Sequence, residues 1–244
     1  MKKTILFLFV LSVCFASIST AEEVRQGRIT GNMMIKGGGP MSDGAVFIYD
    51  AKGPLPLPDK YIRVPDHIAE IDDDGKFSVE IAPGTYYFGG IKKISGKGPG
   101  PPKEGDYFFI IQEAAGMPRA YVVNENETLD IGTVSEAVLY KGITDSEGVT
   151  SIEGVILNGK GAPTEGMVVF ANLRLANEGE VSFVSNWTGK DGKYFLRVHK
   201  GGTYTLNAVD SLGIYVPEST ERVAVKTGEI LRGINMKVVK QGIE

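Results

Sequence analysis

The chain has 244 residues, of which 42% are hydrophobic and 23% are charged, so it has enough apolar residues to form a core, and wholesale disorder is excluded. Its 32 glycines and 12 prolines favour short strands and turns over long helices, and they lack the period of collagen. A formal net charge of −4, without basic runs, excludes nucleic acid as an expected partner.

Residues 1–21 have the pattern of a secretory signal peptide. Two lysines precede an apolar run that ends near Ala16, and small residues lead to a cleavage position after Ala21. The run is shorter than a membrane span, and no later segment approaches the length that a bilayer requires. Cleavage would remove the single cysteine, Cys14, which follows a valine where a lipoprotein signal requires a small residue. We therefore expect a secreted or periplasmic protein without a disulfide, a transmembrane segment or a lipid anchor.

The rest of the chain contains one pattern twice. An I-x-G motif is followed by G-x-P, by an apolar run, by D-G-K and an aromatic residue, and by a glycine two residues before a tyrosine. The first copy places these residues at Ile29, Gly31, Pro40, Gly44, Asp72, Asp74, Gly75, Lys76, Phe77, Pro83, Gly84 and Tyr86. The second copy places them at Ile152, Gly154, Pro163, Gly166, Asp191, Gly192, Lys193, Tyr194, Gly202 and Tyr204.

Both copies alternate with period two after the D-G-K motif, which predicts strands with one buried face. Gly84 and Gly202 are then expected to supply the positive φ of a tight hairpin that reverses the chain. Thr133 to Leu139 is the only candidate for a helix. The predicted inward positions are Phe77, Val79, Ile81, Tyr194, Leu196 and Val198.

This order of motifs resembles the carboxypeptidase regulatory-like, or transthyretin-like, domain that recurs in secreted bacterial proteins. The resemblance covers nearly the whole exported chain twice, and it departs from the family pattern at Lys190 and at Met167. It implies an all-β fold of two tandem transthyretin-like (prealbumin-like, Greek-key) β-sandwiches. We place them at residues 25–134 and 150–242, with a linker at 135–149, and we expect each to fold independently.

Few residues have the spacing of a catalytic or metal site. The carboxylates of Asp72 to Asp74 are contiguous, unlike the alternate ligands of a calcium loop, so we interpret this run as a turn. His67 and His199 lie in different copies, and neither has a histidine, cysteine or glutamate at ligand spacing. The sequence contains neither a nucleophile-elbow motif nor a phosphate-loop motif. We therefore expect no catalytic residues, no metal and no cofactor.

The first copy contains an insertion between Tyr86 and Val123 that the second copy lacks. It combines a proline–glycine stretch, Gly96 to Pro102, with an aromatic run that predicts a buried strand. Loops on a rigid sandwich commonly carry recognition, so we expect an exposed tip that forms the binding surface. The candidate surface residues are Lys97, Pro99, Pro101, Pro102, Tyr107 and Trp187.

Two further segments leave alternatives open. Trp187 either stacks on a sugar or lies in the core, and its alternation with Val181 and Phe183 favours the core. The proline-rich stretch from Gly53 to Pro58 predicts an extended chain that exposes its leucines.

These features favour a secreted or periplasmic, non-enzymatic interaction or scaffold module in the cell envelope. The resemblance implies such a role because its motifs specify turns and packing rather than chemistry. The expected partner is an envelope protein or a polysaccharide. The first alternative is a carbohydrate-binding module, and the second is an accessory subunit of an envelope enzyme or complex.

Overall fold

The computed structural model describes residues 25–94, 96, 98, 100–143, 148–175 and 179–241, so the expected signal peptide lies outside it. Within these ranges the chain is all-β, and it forms no helix that is long and apolar enough to span a membrane. The strands are β1 (Gly27–Ile35), β2 (Ala45–Asp50), β3 (Ile62–Arg63), β4 (His67–Glu70), β5 (Lys76–Ile81), β6 (Gly84–Lys92), β7 (Tyr107–Ile110), β8 (Ala120–Val123), β9 (Thr128–Leu139), β10 (Thr150–Asn158), β11 (Met167–Leu175), β12 (Gly179–Val184), β13 (Lys193–Val198), β14 (Gly202–Asp210), β15 (Tyr215–Pro217), β16 (Glu221–Val225), β17 (Ile230–Arg232) and β18 (Met236–Lys240).

The first repeat forms a curled sheet around one core. Its strand order is β4-β2-β6-β7-β9-β1-β5, and β8 lies beside β6. The curl brings β1 and β5 opposite β2 and β6, so that inward side chains from both sides meet. Their core includes Ile29, Met33, Ile48, Phe77, Phe88, Phe109 and Ile111.

The second repeat consists of two sheets. One has the order β13-β10-β18-β15 with β17 beside β10, and the other has the order β16-β14-β11-β12-β3. The prediction of an all-β sandwich fold is confirmed, and β5 and β13 alternate between inward and exposed positions as expected. The core between the two sheets includes Ile152, Ile156, Phe183, Tyr194, Leu196, Tyr204 and Leu206.

The glycine of each I-x-G motif makes room for an aromatic ring on the neighbouring strand. Gly31 is paired with Phe77 across β1 and β5, and Gly154 is paired with Tyr194 across β10 and β13. A methyl group on Gly31 would lie 2.8 Å from the Phe77 ring, and one on Gly154 would lie 3.1 Å from the Tyr194 ring. Two motifs far apart in sequence therefore form one contact, and they form it twice.

A second repeated contact joins the D-G turn to the G-x-P proline. Gly75 has φ +86° and Gly192 has φ +67°, a conformation that side chains rarely adopt. A methyl group on either glycine would lie 3.0 Å from the Cβ atom of Pro40 or Pro163, respectively. Glycine is therefore required at this turn both by its conformation and by the close approach of the proline.

The expected hairpins after β5 and β13 are wrong. Among the described strands β5 pairs only with β1, whereas β6 pairs with β2, β7 and β8, so the chain crosses between the two sides of the core. Neither Gly84 nor Gly202 has a positive φ. Instead, the Tyr86 hydroxyl donates a hydrogen bond to the carbonyl four residues earlier at 2.9 Å, and the Tyr204 hydroxyl does the same at 2.7 Å. The period-two alternation of these strands fits the observed crossing as well as the expected hairpin, because in both cases one face of each strand is turned to the core.

The helix considered at Thr133 to Leu139 is also wrong, since these residues belong to β9. They pair in parallel with β1, and Ala137 is fully buried. Register shifts place Met33 opposite Val134 and Ile35 opposite Ala137, so a β-bulge separates two inward residues by three positions. A spacing of three positions between inward residues is also the pattern that a helix would give. Residues 135–139 are thus strand, where the sequence suggested a linker.

The first repeat contributes the strand β3 to a sheet of the second repeat. This strand belongs to the first repeat, yet it pairs with β12 of the second. Tyr61, immediately before β3, lies in the second core with its ring 5.4 Å from that of Phe183 in an edge-to-face arrangement. Leu57 packs against the same core, so the proline-rich stretch does not expose its leucines as expected. The second sheet and core thus include residues of the first repeat.

A buried arginine holds this crossing segment. Arg63 is 2% exposed, and its guanidinium lies 5.5 Å from the centre of the Tyr49 ring. It donates hydrogen bonds to the Pro54 and Asp50 carbonyls and to the Asp66 carboxylate at 2.6 Å. The ion pair compensates much of the desolvation of the guanidinium. The Arg63 side chain thereby fastens the loop before β3 to the end of β2.

Candidate functional site

An apolar groove separates the two repeats. The outer face of the first sheet contributes Phe47, Ile68 and Phe108, and the second repeat contributes Phe170 and Val184. Its volume is about 840 Å³, and the insertion forms a further wall. Ile68 is 62% exposed, an unusual degree for an isoleucine in a strand.

A smaller depression of about 370 Å³ adjoins the groove. Ile62, Pro101 and Pro102 line both cavities and separate one from the other. The depression combines aromatic and charged side chains from both repeats. They are Lys103, Glu104, Tyr140, Trp187, Phe195 and Arg197.

Trp187 joins the second repeat to the insertion of the first. Its indole Nε1 donates a hydrogen bond to the Pro101 carbonyl at 3.0 Å. A methyl group on Gly100, which has φ +128°, would lie only 2.3 Å from the indole ring. Val181 and Phe183 are buried as predicted, but Trp187 is half-buried against the insertion rather than inside the core. The sequence could not show this contact because the two partners belong to different repeats.

The insertion is more closely packed than its composition suggests. Pro101 and Pro102 are buried, whereas an exposed tip was expected. Lys97 and Pro99 lie outside the described residues. Tyr107 is half-buried in β7 and packs against the first core, and the aromatic run that follows it is a buried strand as predicted. The candidate surface therefore consists partly of contacts within the protein.

Asp106 closes the base of the insertion. It is fully buried, and its two carboxylate oxygens accept hydrogen bonds from the backbone N–H groups of Ile94 at 2.8 Å and Lys103 at 2.9 Å. Its backbone carbonyl accepts a hydrogen bond from the Tyr140 N–H at 2.8 Å. Sequence analysis missed this residue because an aspartate before a strand resembles any turn residue.

Two lysines lie over the exposed part of Trp187. The Nζ atom of Lys103 is 4.5 Å from the centre of the indole ring, and that of Lys93 is 5.7 Å away. Burial lowers the pKa of Lys93 below its ordinary value; Asp106 opposes this shift, and the charge of Lys103 adds to it. Two ammonium groups that repel each other therefore lie near one indole ring, where the groove adjoins the depression.

The acidic turn has a structural explanation. The Asp72 carboxylate accepts hydrogen bonds from the backbone N–H groups of Asp74 at 3.0 Å and Lys76 at 2.7 Å. This is the geometry of an aspartate that caps its own turn.

The two histidines lie in different surroundings. His67 is exposed on β4, whereas the His199 ring stacks on that of Phe183 with ring centres 6.2 Å apart.

No protein-family model matches the chain, and no curated protein matches its sequence. Among solved structures, it is similar to the Bacillus anthracis TIE protein, with 12% identity, a TM-score of 0.30 and coverage of 88% of this chain and 34% of that one. A Streptococcal ancillary pilin has 12% identity and a TM-score of 0.29, with coverage of 90% and 63%. The shaft pilin SpaA from Lactobacillus rhamnosus GG has 11% identity and a TM-score of 0.26, with coverage of 90% and 99%. The chain thus spans about a third of the first of these proteins and under two thirds of the second. A functional assignment depends on the groove and the insertion themselves.

Proposed function

We propose that the chain is an exported, non-enzymatic interaction or scaffold module of the cell envelope, secreted or periplasmic, built from two carboxypeptidase regulatory-like, transthyretin-like sandwiches. The repeated contacts support the family resemblance, because Gly31 with Phe77 and Gly154 with Tyr194 fulfil the same role in each repeat. The first sandwich extends through β9 to Leu139, and its segment from Leu57 to Arg63 completes the second.

The fixed position of the insertion carries this proposal. Trp187 and the buried prolines hold it against the second repeat, so a partner that contacts the insertion also contacts that repeat. The adjoining depression contains Arg197 and Phe195, the latter 48% exposed. Aromatic and arginine side chains beside a well-packed pocket are typical of the centres of protein interfaces. The preferred partner is therefore an envelope protein.

The carbohydrate-binding alternative depends on Trp187, because the ring is only half-buried. A sugar needs a free aromatic face with polar groups at its edge. Lys103 already lies over the ring, and the indole N–H is used by Pro101. This geometry favours a protein partner, and an accessory-subunit role would be recognised by an enzyme among the captured proteins.

Affinity capture from the envelope fraction tests the proposal, with purified rebinding of each captured protein. Phe195→Asp should reduce binding at least tenfold, because it places a charge in the centre of the depression. Val122→Asp is the matched control, since Val122 is an exposed apolar strand residue in β8, away from this site. Equal binding by both variants would contradict the proposal. Retention on envelope polysaccharide that is lost in Trp187→Ala or Tyr107→Ala, both still folded, would favour the carbohydrate alternative.

A further inference from the structure

The groove between the repeats has the make-up of a small-molecule site. Its volume of about 840 Å³ lies in the usual range for such pockets, roughly 300–1,000 Å³. Phe47 and Ile68 form one wall, and Phe170 and Val184 form the other. An alkyl chain between these apolar side chains would bury no polar group of its own and so would leave none unpaired.

Positive charge is concentrated where this groove meets the depression, because Lys92 and Lys93 line the groove and Lys103 lines the depression. Among the described residues, neither the Lys93 nor the Lys103 ammonium forms an ion pair, although both approach the Trp187 ring. The Lys92 ammonium donates a hydrogen bond to the Ser42 hydroxyl at 3.2 Å. The charged groups that act most strongly on Lys93 are Asp106, which is buried beneath the insertion, and Lys103. Arg63, which also lines the groove, is already paired with Asp66. Asp43 and Glu70 line the groove as well, without an ion pair to either lysine.

We propose that the groove binds an anionic amphiphile, specifically a free long-chain fatty carboxylate. Its alkyl chain lies between the two apolar faces, and its carboxylate lies between Lys93 and Lys103 beside Trp187. The carboxylate relieves the repulsion between two like charges and accepts charge-assisted hydrogen bonds from them. This inference goes beyond the proposed function, since it needs no partner protein and places the alkyl chain in the groove; of the ligand's proposed contacts, only Lys103 and Trp187, at the junction, line the depression.

Dodecanoate, added to the purified protein below its micelle-forming concentration, is the probe. Trp187 is the single tryptophan, so its fluorescence reports binding at the lysines, and calorimetry supplies the stoichiometry. We expect saturable binding of one dodecanoate per chain. Dodecanol should bind about tenfold more weakly because it lacks the charge. Dodecyltrimethylammonium should not bind measurably.

Two variants separate the head from the chain of the ligand. Lys93→Gln should weaken dodecanoate about tenfold and leave dodecanol unchanged. Ile68→Asp should weaken both at least tenfold, whereas Val122→Asp should weaken neither; both original side chains are 62% exposed. The proposal is overturned if dodecanoate fails to saturate, if the alkylammonium binds as well, if Ile68→Asp has no effect, or if binding occurs only to phosphatidylglycerol vesicles. Phe195→Asp changes no residue that lines the groove, so dodecanoate should still saturate one site in this variant, and this test and the capture experiment can fail separately.

Discussion

The Asp106 carboxylate shows how one buried group can determine the shape of a loop. Both of its oxygens are used by backbone N–H groups on opposite sides of the insertion. These two bonds join the residues on either side of the proline–glycine stretch, Ile94 and Lys103, to one carboxylate. The position of Pro101 under Trp187 therefore depends on Asp106 as well as on the proline itself.

Asp106→Asn should loosen the insertion. The amide keeps one acceptor, but it leaves the other backbone N–H facing a donor, a change that typically costs about 1–3 kcal/mol for a buried group. We expect a lower free energy of unfolding, measured by denaturant titration, and a red shift of the Trp187 emission. Asp130→Asn is the control, because Asp130 is an exposed residue of β9 whose carboxylate accepts a hydrogen bond from the Gly132 N–H of the same strand. Equal losses in both variants would contradict a special role for Asp106.

The sequence pattern predicted which side chains of a single strand are buried, but it did not predict the side-chain contacts between the two repeats. Phe77 and Tyr194 alternate with exposed neighbours, so their burial could be predicted locally. Trp187 follows the same alternation, but its partner Pro101 comes from the other repeat. Proline and glycine composition suggested an exposed tip because composition does not indicate which surface covers a loop. Four of the six candidate surface residues are described, and all four have contacts within the protein.

At the scale of elements, β3 and the bulge in β9 could not be predicted from the local sequence. β3 has two residues, too few for any periodic signal, and only its position beside β12 gives it a role. The bulge in β9 spaces Val134 and Ala137 like neighbours on a helix. β7 was recognisable because Phe108 and Phe109 are both buried, a pattern that fits a strand covered on both faces.

Tyr61→Ala should destabilise the second repeat although the residue belongs to the first repeat and the strands β3 to β9 lie between it and β10 in the chain. The ring lies in the second core beside Phe183, and truncation of a buried aromatic side chain costs about 3–5 kcal/mol. Tyr61→Phe removes only the hydrogen bond from the hydroxyl to the Leu55 carbonyl at 2.7 Å, which should cost about 0.5–1.5 kcal/mol. Denaturant unfolding measures both. A Tyr61→Ala loss no larger than that of Tyr61→Phe would show that the ring contributes little to packing.

At the scale of the whole molecule, shared elements should make unfolding cooperative. β3 pairs with β12, Tyr61 completes the second core, and Trp187 supports the insertion of the first repeat. Melting either repeat therefore removes contacts from the other. The structure therefore predicts coupled unfolding, in contrast to the sequence-based expectation that the repeats fold independently.

We expect one thermal transition for the full chain, with Trp187 fluorescence and far-UV circular dichroism giving the same midpoint. A fragment of residues 150–242 lacks β3 and Tyr61, so it should melt at a lower temperature than the full chain. Adding residues 53–64 in front of this fragment through a flexible linker should restore part of the loss. Two resolved transitions in the full chain, or a fragment as stable as the whole, would refute the coupling.

Because β3 pairs with a strand of the second repeat, it must wait for its partner while the chain is being made. Synthesis begins at the N-terminus, so Leu57 and Tyr61 are made before β12 and the second core exist. Contacts between residues so distant in sequence form slowly, because a long loop must close before they contribute. During this interval the first repeat presents an apolar segment that resembles a chaperone substrate. The strand that joins the two repeats in the folded protein is therefore also the segment that is exposed to aggregation until the second repeat has formed.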